Sequence, residues 1–310
     1  MADAKKRLKV LKAMRKQPHR YNRLRTLGIG VSLAILLAVP LTGFNRIDLW
    51  QGHHYIFFRP TTFKVALAGW IIWYSAMYVV TFLSNVVAGR MFCGWGCPVG
   101  QISRFGEDLD TPAFKERQRR LATLKHIGFG FLFVLSLVAW WVDLRVLWQG
   151  SPKAMAWTWG VLLVGTAAAY AHGRWWRWEF CKTVCPIGLY YTFMAPATWY
   201  GIYFRNAEET CIECNACDNV CPVDLAPREL MKPIEARGGF SIDAAPGLNH
   251  CLECGDCARA CEWIIGVKGR EPVPLLMGWY RGPQSIDPTA EAGTDAGNAT
   301  EMVLNHPQSS

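Results

Sequence analysis

The sequence predicts an α-helical membrane protein of four spans, arranged as two repeated hairpins, followed by a small cysteine-rich α+β domain. Three observations carry that expectation: four uncharged apolar runs, basic residues gathered beside one end of the runs, and twelve cysteines that all fall in short ordered clusters. Only 18% of the 310 residues are charged, 51% are hydrophobic and 15 are tryptophan, which argues against a wholly soluble enzyme. The formal charge of +9 is local. Residues 1–25 hold ten Lys or Arg against Asp3 alone, and the other 23 basic and 23 acidic residues balance. No basic surface is left for a nucleic acid.

Residues 1–25 read as a basic cytoplasmic segment in which Leu8, Leu11 and Met14 recur at intervals of three. That pattern suits a helix lying on anionic lipid and equally a solvated tail. Residues 26–186 form the membrane domain. Its first run, 27–44, is eighteen residues without a charge, or about 27 Å of helix at 1.5 Å per residue. It reads as a retained span, since no small-x-small cleavage site follows. The others cover about 65–89, 127–142 and 157–173; the last two are short, with Trp140, Trp141, Trp157 and Trp159 as interfacial anchors. Twenty Lys or Arg lie before span one and after spans two and four, against five on the other side. This bias predicts a bacterial inner-membrane protein with a cytoplasmic amino terminus. Residues 187–204 are apolar but carry Pro196 and scattered Tyr and Trp, and read as an interfacial segment rather than a fifth span. The tail, 282–310, has no Lys or Arg and is predicted to be disordered.

The hairpins echo each other. Leu49-Trp50-Gln51-Gly52 returns as Leu147-Trp148-Gln149-Gly150 in the second outer loop. Cys93-x3-Cys97-Pro98-x-Gly100 returns as Cys181-x3-Cys185-Pro186-x-Gly188 after the fourth span. Two motifs in the same order and the same membrane position indicate a parallel duplication.

Residues 205–270 carry the chemistry. Cys211-x2-Cys214-x2-Cys217-x3-Cys221-Pro222 and Cys251-x2-Cys254-x2-Cys257-x3-Cys261 have the bacterial ferredoxin spacing for two [4Fe-4S] clusters. Three close thiolates reach one cube and the displaced fourth reaches the other. Cys211, Cys214, Cys217 and Cys261 are therefore assigned to one cluster, and Cys251, Cys254, Cys257 and Cys221 to its neighbour. Structural zinc takes two separated Cys pairs instead. Glu262 stands where the second run would carry its proline. Such clusters are assembled in the cytoplasm, so this domain is expected there, and its eleven acids against five bases over 205–262 suit docking to a basic redox partner.

For the membrane-proximal Cys93, Cys97, Cys181 and Cys185, three readings stay open. They converge on a third iron–sulfur centre, they form redox dithiols or bind a soft metal such as Cu(I), or they only shape turns under the membrane. No dinucleotide fingerprint, phosphate loop or c-haem motif is present in the sequence. His126 and His172, at the inner ends of spans, are read as interfacial rather than as haem ligands.

Spans, paired Cys-x3-Cys-Pro motifs and an eight-iron ferredoxin over about 25–265 together resemble the NapH/MauN-type membrane polyferredoxins. The membrane half of NosR and the CcoG-type proteins share parts of the pattern. The resemblance implies the membrane component of a quinol dehydrogenase, an electron-transfer subunit that takes electrons from the quinone pool to redox partners within a hetero-complex. An accessory reductase for metalloenzyme maturation or copper is the alternative. The matching residues are Cys93, Cys97, Pro98, Cys181, Cys185, Pro186 and the eight ferredoxin cysteines. Proton acceptors for quinol chemistry would come from Asp48, His53, His54 and Asp143 on the outer face, or His172 and Glu179 on the inner. The string Arg174-Trp175-Trp176-Arg177-Trp178 reads as an aromatic belt with basic anchors.

Overall fold

The structure, a computed structural model, describes residues 19–109, 116–193, 200–204, 211–227, 251–267 and 273–279. Most of the basic amino-terminal segment, the middle of 187–204, all of 228–250 and the carboxyl-terminal tail lie outside the described residues. In chain order the elements are α1 (Arg20–Leu41), β1 (Asn45–Arg46), β2 (His54–Ile56), β3 (Arg59–Thr61), α2 (Phe63–Ala88), α3 (Met91–Trp95), α4 (Pro98–Leu109), α5 (Glu116–Val138), α6 (Val146–Gln149) and α7 (Pro152–Ala171). A π-helical turn (His172–Trp176) follows, then α8 (Trp178–Thr183), α9 (Pro186–Phe193), β4 (Tyr200–Phe204), α10 (Ala216–Val220), α11 (Asp256–Val267) and β5 (Leu275–Trp279).

Among the described residues, four segments are long and apolar enough to cross a bilayer: Arg20–Leu41, Phe63–Ser84, Arg117–Val138 and Pro152–Trp176. Their outward faces are apolar too; Ile72 is 70% and Val164 71% exposed, which water would penalise and lipid would not. The third and fourth spans pack through Val134, Val138, Ala154 and Leu162. Small residues let them approach: a side chain on Gly165 would meet Val134 Cγ1 at 2.7 Å. Span one packs against span three and equally against α3, and Trp140 Nε1 donates to the Leu36 carbonyl at 3.0 Å.

At the end of the spans away from the cysteines, β1, β2 and β3 form an antiparallel sheet. Ile47 and Leu49 donate from their backbones to the carbonyls of Trp140 and Trp141, both at 3.0 Å, and Arg46 pairs with Asp143 at 3.1 Å. The two halves of the membrane domain are thus stitched together there.

At the other end each half makes the same short construction. A residue with positive φ, Gly89 (54°) or Arg177 (44°), turns the chain out of its span. A short helix carries the first cysteine, and Pro98 or Pro186 opens the next helix, where a missing N–H costs nothing. Cys97 donates to the Phe92 carbonyl at 2.9 Å and Cys185 to that of Phe180 at 2.8 Å. The motif glycines lie tight on the leading cysteines: a side chain on Gly100 would meet the Cys93 carbonyl oxygen at 2.6 Å, and one on Gly188 would strike that of Cys181.

The last body pairs β4 with β5 antiparallel, from Tyr200↔Trp279 to Phe204↔Leu275. Its core is Ile202, Ala216, Cys217, Val220, Cys257, Ala258, Ala260 and Leu275. Strand β4 belongs to the stretch expected to lie along the membrane surface, and β5 falls beyond residue 270. Apolarity alone could not separate a strand that closes a small core from a segment resting on lipid.

Candidate metal centres

The cysteine runs are turned by residues held with positive φ. Glu213 (52°) and Asn215 (56°) flank Cys214, and Glu253 (46°) and Gly255 (76°) flank Cys254. Asn and Gly tolerate this conformation, and successive turns of this kind aim backbone N–H groups inward as an anion would require. Leu225 donates its N–H to Cys221 Sγ at 3.3 Å.

Two cavities result. One is lined by Cys211, Cys214, Cys217 and Cys261 and closed by Ile212, Ile265, Pro274 and Leu275. The other is lined by Cys221, Cys251, Cys254 and Cys257 and closed by Ile202, Val223, Leu225 and Leu252. Each receives three thiols from one run and one from the other. All twelve cysteines are free of disulfides. Burial pushes the Cys261 thiol up to about 11 and that of Cys254 to about 12, and raises Cys217, Cys251 and Cys257 as well. Desolvated thiols ionise only when a cation takes the place of the proton, so four soft donors around an apolar cavity fit a thiolate-ligated metal core. Among the described residues no three His, Cys, Asp or Glu stand close enough to hold a single metal ion.

The membrane-proximal thiols form a further group. Burial chiefly raises Cys93, with Cys97, Cys181 and Cys185 adding repulsion, and Cys181 is pushed up to about 12 by burial and then by Cys97 and Cys185. Arg90, only 3% exposed, sits among them and donates to the Gly188 carbonyl. Cys93 and Cys181 pack with Trp178, Cys221, Val223, Leu252 and Cys254 in one cluster. This quartet and the second cavity therefore share a wall.

Buried polar contacts fix that wall. Arg25 donates to the Cys254 carbonyl at 2.6 Å and to Asp256 Oδ1 at 3.1 Å, while Arg104 reaches Asp256 Oδ2 at 2.6 Å. Burial alone would raise the Asp256 carboxyl, but Arg104 and Arg25 hold it well below the usual carboxylate range. Trp95 Nε1 donates to the Glu253 carbonyl at 2.8 Å, and Glu253 Oε2 accepts the Ile202 N–H at 2.7 Å. At the rim, His19 meets Glu262 at 3.2 Å and Arg259 meets Asn22 at 3.1 Å.

The residues considered for proton transfer separate into two ends. Asp48 is fully buried; its Oδ1 accepts from the backbones of Trp50 and Gln51, and its own N–H donates to His54 Nδ1 at 3.1 Å. Asp143 is held by Arg46, and His53 is exposed. At the thiol end, His172 Nε2 lies 3.3 Å from Ser103 Oγ, and Glu179 pairs with Lys182 at 2.8 Å. His126 is fully buried, its ring tilted against that of Tyr170 at 5.0 Å between centroids, because the small residues of α4 and the π turn let α5 approach closely. In the Arg174–Trp178 string, Trp175 and Trp176 are exposed as a belt requires, but Trp178 is buried and donates to Glu107 Oε1 at 2.8 Å. Arg25, Arg90, Arg104, Asp256 and Trp178 were not singled out from the sequence as site residues. The only signal was position: each lies within a few residues of a cysteine motif or on the basic flank of a span.

No family model matches the chain. Among curated proteins, the ferredoxin-type protein NapH of Escherichia coli is 25% identical over 238 residues, 72% of this chain and 73% of NapH. The nitrogen fixation protein FixG of Rhizobium meliloti is 23% identical over 81% of this chain, which spans 54% of FixG. The uncharacterized protein MJ0749 of Methanocaldococcus jannaschii is 23% identical over 59% of this chain and 66% of its own length. No solved structure matches.

Proposed function

We propose that this chain, a relative of the NapH- and FixG-type ferredoxin membrane proteins, takes electrons from the quinol pool and passes them through two [4Fe-4S] clusters to a partner oxidoreductase. A membrane iron–sulfur electron-transfer protein is the common ground of these relatives and of the four span-length helices. The observation that carries the finer reading is the pair of neighbouring cavities, each lined by four thiols drawn from both runs. Cys211, Cys214, Cys217 and Cys261 would hold the outer cluster, and Cys251, Cys254, Cys257 and Cys221 the one nearer the membrane. A bound cube stores one electron at a time. The chain's own part is to exclude water with Ile202, Val223, Leu252 and Leu275, and to hold the clusters against the membrane domain through Arg25, Arg104 and Asp256.

The domain at 205–270 faces the cytoplasm in this reading, since it sits against Arg25 and Arg104 on the strongly basic side of the spans. Proton acceptors should lie near the electron acceptor. His172 and Ser103 meet that requirement better than Asp48 and His54, because Ser103 is on the helix that Pro98 opens next to Cys97. The test is to add a short-chain ubiquinol or menaquinol to the anaerobic, oxidised, full-length protein in liposomes. Bleaching of the iron–sulfur absorbance is expected. Centres that reduce with dithionite yet stay oxidised with every quinol would overturn the quinol reading and leave the electron-transfer protein standing.

A further inference from the structure

We infer that Cys93, Cys97, Cys181 and Cys185 together ligate a third iron–sulfur cluster, of the [4Fe-4S] class, at the inner ends of the membrane helices. The inference rests on the electron-transfer reading above and deepens it by naming the centre closest to the bilayer.

Three observations carry it. First, the two Cys-x3-Cys-Pro units are built alike, down to the hydrogen bond behind the second cysteine and the glycine pressed on the first. Two like constructions facing one another give a four-thiol site in which neither half is complete alone. Second, they do face one another. Arg90 of the first unit donates to the carbonyl of Gly188 in the second, so the seam between the units is bonded. Cys97 lies near Cys185, and Cys181 near both Cys97 and Cys185. Third, Cys93 and Cys181 share an apolar cluster with Cys221 and Cys254. A centre held by the quartet would therefore adjoin the nearer ferredoxin cluster, with Trp178 and Leu252 between them.

Charge points the same way. Four thiolates in an apolar pocket repel one another and are poorly solvated, and the buried Arg90 offsets one of them. The rest of the compensation has to come from a cationic core. Tetrathiolate ligation is what an iron–sulfur cube requires. A zinc or copper ion on the same thiols would compensate charge equally well, so metal analysis has to separate the two.

The experiment uses the full-length protein, purified anaerobically in detergent, with iron, zinc, copper and acid-labile sulfide counted per chain. At four irons per cube, the wild type should hold about twelve irons and a C97A/C185A double variant about eight. EPR after dithionite should keep both ferredoxin signals in the variant and lose a third. About eight irons in both proteins would overturn the inference, as would one zinc or copper that disappears with the double variant. If the double variant loses all its iron, the wild type decides by labelling: the four thiols should resist maleimide until iron is chelated. Labelling with no loss of iron would overturn the third centre. Wild-type protein devoid of ferredoxin EPR signals would instead bring down the electron-transfer reading beneath it.

Discussion

Three residues before the leading cysteine, the first unit carries Arg90 and the second carries Trp178, each just after a positive-φ residue and each buried. From that shared position Arg90 turns a charge toward the thiol quartet and bonds across to Gly188. Trp178 turns a ring toward Leu252 and Cys254 and bonds back to Glu107. The contrast extends to docking. The first half supplies the polar clamp, with Arg25, Trp95 and Arg104 on Cys254, Glu253 and Asp256. The second half adds Trp178 and Cys181 to an apolar contact that Cys93 of the first half shares. Two like constructions can keep the same backbone while one adds electrostatic contacts and the other a bulky apolar one. The backbone is set by proline, glycine and hydrogen bonds, and the neighbouring side chain is free to change.

Breaking the polar clamp should have the largest effect. Asp256→Asn leaves Arg25 and Arg104 buried without their counter-charge, a loss of about 3 kcal/mol for a pair of this kind. Hydrogen exchange over 251–267 should rise well above that of Trp178→Phe, which keeps most of the apolar contact. Equal exchange in the two variants would show that the halves share the docking evenly. Next come the motif glycines. Gly188→Ala and Gly100→Ala each press a methyl on a cysteine carbonyl, and the tighter second unit should lose more, within the range of about 1–3 kcal/mol seen for overpacking. Thermal release of iron from the two variants measures the difference. The smallest effect belongs to the rim: His19→Ala removes a half-exposed contact to Glu262 and should cost under about 1 kcal/mol, with iron release at the wild-type temperature.

How legible these features were depended on how local their causes are. The four spans follow from runs of uncharged residues, and their existence needed no partner, although α5 begins well before the apolar run and α7 continues into the π turn. Leu-Trp-Gln-Gly and Cys-x3-Cys-Pro could be seen to recur because duplicated sequence is read by comparison alone. That His126 is fully buried against protein could not be read locally, because it depends on Gly173 of another element letting the chains close over it. The pairing of residues 200–204 with β5 could not be read from the chain, because their apolar character is the same whether lipid or a strand covers them.

The amino-acid sequence by itself determined that helices cross a bilayer, that basic residues gather at one end, and that twelve thiols are available in ordered groups. These are consequences of solvent transfer and ligand chemistry, which act residue by residue. Only the tertiary structure decided that span one lies on span three, that Asp256 is gripped by two arginines from the membrane domain, and that Arg90 of one cysteine unit bonds across to Gly188 of the other. Such outcomes depend on which surfaces meet at long sequence separation, and charge or apolarity along the chain carries no record of the partner.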